Sequence, residues 1–224
     1  VPAGLGGEEA LPALRGRGVA AARRSGRLAG QIAKLSGSAE GRFSPAAWAD
    51  VGAALRRLHG HEGEQYGWPV DYQIGTVALV NRERRDWPGF WAEQRLAATA
   101  AVLDRPWRER VGRLVERAAG IAAASPRASL LHGDLWSGNI LVSEGRLAAL
   151  IDPACYYGDA EVDLAMLTMF DVPGESFWEA YGPLQPGWEE RRPFYQLFPA
   201  LLHLRLFGDT YSGMVDRLLT RLGV

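Results

Sequence analysis

Lysine is almost missing from this chain: of 25 Lys and Arg residues only Lys34 is a lysine. Any step that requires an ammonium group therefore has a single candidate. Cysteine is as scarce. Cys155 stands alone, which excludes an intramolecular disulfide framework and a Cys-x-x-Cys zinc pair, fits a reducing, cytoplasmic setting, and reads as a small buried filler. No apolar run reaches the length that a bilayer requires, and no basic segment followed by a hydrophobic one opens the sequence. The formal net charge of −1 supplies no field of one sign, so nucleic acid and membrane surfaces are not expected partners. What is present, 47% apolar residues in a chain of 224, is enough for one sizeable core or two unequal lobes sharing a cleft.

The first 43 or so residues are rich in Gly, Ala and Arg and hold no sustained period; they read as a small or partial subdomain. From Ser44 the pattern turns helical. Ser44-Pro45 is an N-cap followed by a first-turn proline, and Trp48, Val51, Leu55 and Leu58 recur at helical spacing up to Gly60. Segment 61–85 has the Gly, Pro and Asn punctuation of an ordered connection. Asp86-Trp87-Pro88 starts a helix to about residue 103. Pro106 precedes another, with Val111, Leu114, Val115, Ala118 and Ile121 as its buried stripe. Ile140-Leu141-Val142 and Leu147 to Ile151, around a turn at 143–146, predict a short hairpin. Helices then return around Val162–Phe170, near Phe177, over Phe194–Phe207 and across Met214, Val215, Leu218, Leu219 and Leu222. The fold class is α+β, with 44–224 as an α-rich unit after a partial unit at 1–43.

The chemistry lies in Leu131-His132-Gly133-Asp134-Leu135-Trp136-Ser137-Gly138-Asn139-Ile140, followed across the hairpin by Ile151-Asp152-Pro153. His-x-Asp-x-x-x-x-Asn is the spacing of a kinase catalytic loop, and a second aspartate stands where a metal-binding one should. Chance matching of three such positions in a chain this long occurs on the order of one time in a hundred. Phosphoryl transfer asks a protein mainly to align the acceptor oxygen with the γ-phosphate and to neutralise charge with Mg²⁺. Asp134, read as lying on a loop between a helix and a strand, is the expected base. Asn139 through its amide oxygen and Asp152 through its carboxylate are the expected Mg²⁺ ligands, a hard ion that takes oxygen donors and few carboxylates. ATP is the phosphate donor that this pattern implies. His132 is expected to be structural, holding the loop by a ring hydrogen bond.

These residues resemble the fructosamine kinase (ketosamine-3-kinase) family. The likeness runs through His132–Asn139, Ile151-Asp152-Pro153-Ala154, Tyr156–Glu161 and Asp163-Leu164-Ala165-Met166. Gly67-Trp68, Ile74-Gly75, Asp86-Trp87, Phe90-Trp91 and Arg95-Leu96 extend it before the loop. Tyr195–Phe198, Leu201-Leu202-His203 and Leu206-Phe207-Gly208 extend it after, so that it is nearly continuous from Ser44. The resemblance implies a protein-kinase-like two-lobe fold, here mostly the α-helical carboxyl-terminal lobe with a small or truncated amino-terminal one. It implies ketosamines as substrates, free or on glycated protein lysines, phosphorylated at the 3-hydroxyl so that the adduct breaks down. Within it Trp136 and His203 are candidate substrate contacts; the alternatives are a hydrophobic wedge for the indole and a core position for the imidazole. Asp163 is expected to be structural, satisfying backbone or Arg donors behind the loop.

In the amino-terminal part, Glu9 or its neighbour Glu8 is the candidate for the family's helix glutamate. Ala33-Lys34-Leu35 resembles the linker that receives adenine. Lys34 follows those glutamates and is misplaced for the phosphate-gripping lysine. The phosphate loop and its lysine are therefore expected before Val1, in a chain that is truncated or incompletely ordered, or to be missing from a degenerate kinase. Two rivals stand beside the ketosamine reading: a kinase of an aminoglycoside, choline or homoserine-like alcohol, and a non-catalytic binding or scaffold protein. The oligomeric state is left open.

Overall fold

The computed structural model describes residues 43–224. Ser44–Val224 forms a compact unit; Glu9, Ala33, Lys34 and Leu35 lie outside the described residues, as does the expected amino-terminal lobe.

Helix α1 (Pro45–His59) starts as the sequence predicts: the Ser44 hydroxyl accepts from Ala47 N at 3.0 Å, and Pro45 fills the first turn, where no N–H is needed. Its buried stripe, Ala47, Trp48, Val51, Gly52 and Leu55, faces α6 (Glu175–Tyr181). Gly52 permits this approach, since a Cβ there would run into the Phe177 carbonyl. The connection after α1 holds a hairpin that the sequence reading missed, β1 (Tyr72–Ile74) and β2 (Val77–Leu79), with Gln73 opposite Ala78. Three-residue strands are too short for an alternation signal to stand out.

Asp86 caps the next helical stretch, its Oδ2 accepting from Gly89 N at 3.0 Å. The chain runs as α2 (Trp87–Gly89), widens into a π-helical segment over Phe90–Ala97, and closes as α3 (Ala98–Ala100). The wider turn buries Phe90, Trp91, Ala92, Gln94, Arg95 and Leu96 together. Arg95 has no exposure. Its Nη1 donates to Val80 O and its Nη2 to Asn81 Oδ1, each at 2.6 Å, and its guanidinium carbon lies 4.3 Å from the centre of the Tyr156 ring. Carbonyl dipoles and ring faces thus hold a buried cation and tie the end of β2 to the helix.

Helix α4 (Arg105–Val115) ends earlier than its expected stripe, and Ala118–Gly120 tightens into a 3₁₀ turn. Val111, Leu114 and Ala118 are buried, whereas Val115 at the end of α4 and Ile121 after the tighter turn are half-buried. Strand β3 (Ser129–Leu131) pairs antiparallel with β6 (Tyr156–Gly158), Leu130 opposite Tyr157. Between them, the predicted hairpin forms from β4 (Ile140–Ser143) and β5 (Arg146–Leu150). Its two-residue turn, Glu144-Gly145, has φ of 52° and 73°, the left-handed pair that a tight hairpin requires.

Helix α5 (Glu161–Phe170) is buried continuously from Glu161 to Leu167. Helix α7 (Trp188–Phe207) packs on it, and α8 (Ser212–Arg221) closes the fold with Val215 and Leu219 inward and Met214, Leu218 and Leu222 half-buried. An aromatic core joins the two halves: Trp87 Nε1 donates to the Tyr195 hydroxyl at 2.9 Å, which donates to Asp159 Oδ2 at 2.8 Å. No described helix is long and apolar enough to cross a membrane.

Candidate functional site

Residues His132 to Asn139 link β3 to β4, so Asp134 follows a strand; the helix expected before it is replaced by β3, which is held by its distant partner β6 and by a bridge from Ser129 to Glu62. Two features bend the chain at this point. Gly133 has φ +80° and lies so close to the Ala154 carbonyl that any Cβ would collide with it. Ser137–Asn139 then turns as a 3₁₀ helix, with Ser137 N donating to Asp171 Oδ2 at 2.9 Å from the end of α5. Sequence reading had not singled out Asp171.

The hairpin brings the loop's far end back to its start. Ile151 N donates to Asn139 O at 2.9 Å, directly before Asp152. Asn139 Nδ2 donates to Asp134 O at 2.7 Å and to Asp134 Oδ2 at 3.0 Å. That commits the amide nitrogen and leaves the oxygen as the side chain's remaining polar atom. Asp152 is exposed and holds φ at 51°, a left-handed conformation that non-glycine residues rarely occupy and that is found where a site fixes it. Among the described residues no three His, Cys, Asp or Glu side chains converge as a metal site. One amide oxygen and one carboxylate suit a Mg²⁺ ion that completes its shell with phosphates and water.

His132 is buried and joins the two strands. Its Nε2 lies 3.0 Å from the Ile151 carbonyl, which can only accept, so Nε2 carries the proton. Nδ1 is then free to accept the long 3.4 Å contact from Asp134 N. Burial pushes its pKa down, which keeps the ring neutral in this role.

Asp163 on α5 anchors the loop from behind. Its Oδ2 accepts from His132 N at 2.7 Å and its Oδ1 from Gly133 N at 2.9 Å. The donors are backbone amides, as expected, but the third is His59 rather than an arginine: His59 Nε2 lies 3.1 Å from Asp163 Oδ2, and its Nδ1 pairs with the Tyr181 hydroxyl at 2.8 Å. Burial alone would raise the Asp163 pKa; the hydrogen bonds from His59 and from the Gly133 amide bring it below the usual carboxylate value. Asp134 goes the other way. Burial lifts it, the Asn139 hydrogen bond only partly offsets this, and the neighbouring Asp163 and Asp152 add to the rise, to about 6.

Trp136 is 41% exposed. Its six-membered ring lies over Gly138, where a Cβ would strike it, and its edge meets Phe170 at a centroid distance of 6.5 Å. His203 is half-buried on α7, its ring 4.9 Å from that of Phe170 and its Nδ1 2.7 Å from Pro199 O. Both expected substrate contacts therefore belong to one aromatic group that starts two residues after Asp134.

Strand β3, the loop, the β4–β5 hairpin and the helical packing behind them make this a protein-kinase-like fold. The sequence model of the fructosamine kinase family matches residues 40–223, and the chain belongs to that family. A protein of Lactiplantibacillus plantarum named "Probable ketoamine kinase" is 38% identical over 181 residues, covering 75% of this chain and 64% of the relative. The crystal structure of a protein from Thermobifida fusca, provisionally named a fructosamine-3-kinase, superposes with a TM-score of 0.73 at 33% identity, over 80% of this chain and 65% of that one. A choline/ethanolamine kinase family protein from Mesorhizobium loti shares the fold, with a TM-score of 0.52 at 18% identity over 82% of this chain and 66% of the other. The chain thus spans somewhat less than two thirds of the length of the first two.

Proposed function

We propose that this chain carries the carboxyl-terminal lobe of an ATP-dependent kinase that phosphorylates the 3-hydroxyl of ketosamines, fructosamine or ribulosamine adducts that are free or on protein lysines, and so promotes deglycation. One observation carries the reading: a hydrogen-bonded Asp134–Asn139 pair with Asp152 returned to its side by a two-stranded reversal, in a chain of the fructosamine kinase family. Asp134 accepts the proton of the acceptor hydroxyl as its oxygen bonds to the γ-phosphorus, while the bond to the bridging oxygen breaks and its electron pair leaves with ADP. Asn139 and Asp152 would hold Mg²⁺, which neutralises charge on the phosphates. His132 and Asp163 keep the loop in place, and Trp136 and His203 offer faces to the sugar. The residues before Ser44, with Glu9 and Ala33-Lys34-Leu35 among them, are proposed to belong to the amino-terminal lobe and to the nucleotide side of the site.

The test is ATP consumption by the protein expressed from its complete reading frame, with fructosyl-lysine and Mg²⁺. Asp134→Asn should lower kcat by about 10²–10⁴-fold with the Kd for Mg-ATP little changed, the range expected for loss of a general base. Full activity in that variant would remove Asp134 from the role.

A further inference from the structure

The aromatic group at the site does not end where a sugar would. Beyond Trp136, Phe170 and His203 it continues outward: the His203 ring lies 5.5 Å from Phe207 and 4.9 Å from Tyr211, and Phe207 and Tyr211 are 5.8 Å apart. The rings come from four places in the chain: the loop, the end of α5, the last two turns of α7 and the Gly208–Tyr211 turn. Phe207 is 60% exposed at the last position of α7, with His203 and Tyr211 as its ring neighbours and no contact to the Trp87–Tyr195 core among its ring pairs. A ring so placed adds little to core burial, and a run of touching rings that is exposed at Trp136 and Phe207 and half-buried at Phe170, His203 and Tyr211 offers faces to a ligand.

The faces of these rings favour cations and flat apolar groups. Burial lowers the pKa of His203, and its Nδ1 contacts a carbonyl that can only accept, so the neutral ring turns an accepting Nε2 outward from that bond. A ketosamine joins its sugar to a secondary amine, a donor that is protonated in neutral solution, and the amine in turn carries the remaining substituent. An acceptor followed by π-faces matches that order of groups.

We infer that Phe207 and Tyr211 form a subsite for the amine-borne substituent of the substrate, selecting ketosamines whose substituent is aromatic or otherwise large and apolar. This rests on the ketosamine reading above and adds the part of the substrate which that reading leaves unassigned.

Its test compares N-fructosyl-phenethylamine with N-fructosyl-glycine as substrates of the full-length protein at saturating Mg-ATP. The wild type should favour the aromatic adduct in kcat/KM by about tenfold, the gain of stacking one ring on this surface. Phe207→Ala should bring that ratio near one through KM for the aromatic adduct rather than kcat, Tyr211→Ala should lower it less, and Phe207→Leu should restore part of it. A ratio unmoved in both alanine variants, with both adducts turned over, overturns the subsite and leaves the ketosamine reading intact. If the wild type turns over neither adduct, the ketosamine reading falls and the subsite with it. A wild-type dimer in sedimentation that Phe207→Asp splits into monomers would make the face an interface between copies, and would also overturn the proposal.

Discussion

The two ends of the loop each depend on an aspartate, and the two aspartates are held in opposite ways. Asp163 is buried completely yet ionises more readily than a free carboxylate, because two backbone amides and His59 converge on it. Asp134 is less enclosed yet holds its proton up to a pKa of about 6, because burial raises it, a single side-chain donor, Asn139, offsets this only in part, and two like charges stand near. Burial raises both carboxylates, and the number of donors facing each decides whether that rise is reversed. The anchor is therefore permanently charged at neutral pH, while the proposed base has the raised affinity that proton abstraction needs.

The sharpest way to break this contrast is to remove the anchor. Asp163→Ala leaves His132 N, Gly133 N and His59 Nε2 without their acceptor in a dry interior. It should cost about 3–5 kcal/mol, read as a lower urea midpoint at unchanged m-value. Removing the other carboxylate should have the reverse sign. Since the Asp134 pKa is higher folded than unfolded, the folded state binds the proton more tightly, and stability falls as pH rises from about 4 through about 6. Asp134→Asn abolishes that loss and should stabilise the protein by about 1–2 kcal/mol at pH 8, after allowance for solvent screening. The gain should vanish below about pH 4; thermal melts of both proteins across that range test the sign. Asp159, also raised to about 6, contributes equally to both proteins and cancels in the difference. Asp163, with its lowered pKa, links oppositely: its contribution is complete above the unfolded carboxylate value and is lost only on further acidification. The smallest effect belongs to the outermost member of the anchor. Tyr181→Phe removes one hydrogen bond to His59 and should cost about 1 kcal/mol, with KM for the ketosamine unchanged.

The same contrast explains how far the sequence could be read. The loop spacing, the hairpin and the Asp152 return are local: a short reversal closed by Glu144-Gly145 dictates them, and residue order suffices. The partners of Asp163 are not local. His59 comes from 104 positions away and Tyr181 meets it across 122, so nothing in either neighbourhood advertises the contact. Strand β3 was missed for the same reason, since the partners of Ser129–Leu131, Tyr156–Gly158 on one edge and Glu62 on the other, are distant in the chain. A signal for His59 did exist: a histidine in the last turn of α1, on the side of its apolar stripe, needs a buried partner.

The widened helix at Phe90–Ala97 has a consequence for the register of everything after it. Winding these same residues as a regular α-helix, with no change in chain length, would carry Arg95 roughly a quarter turn further around the axis from Phe90. The Arg95 guanidinium would leave Val80 O and Asn81 Oδ1 together, and the β1–β2 ribbon would lose its tether. The extra width of that turn is thus a phase setting: the winding at this point, and not composition alone, decides which way a buried charge faces.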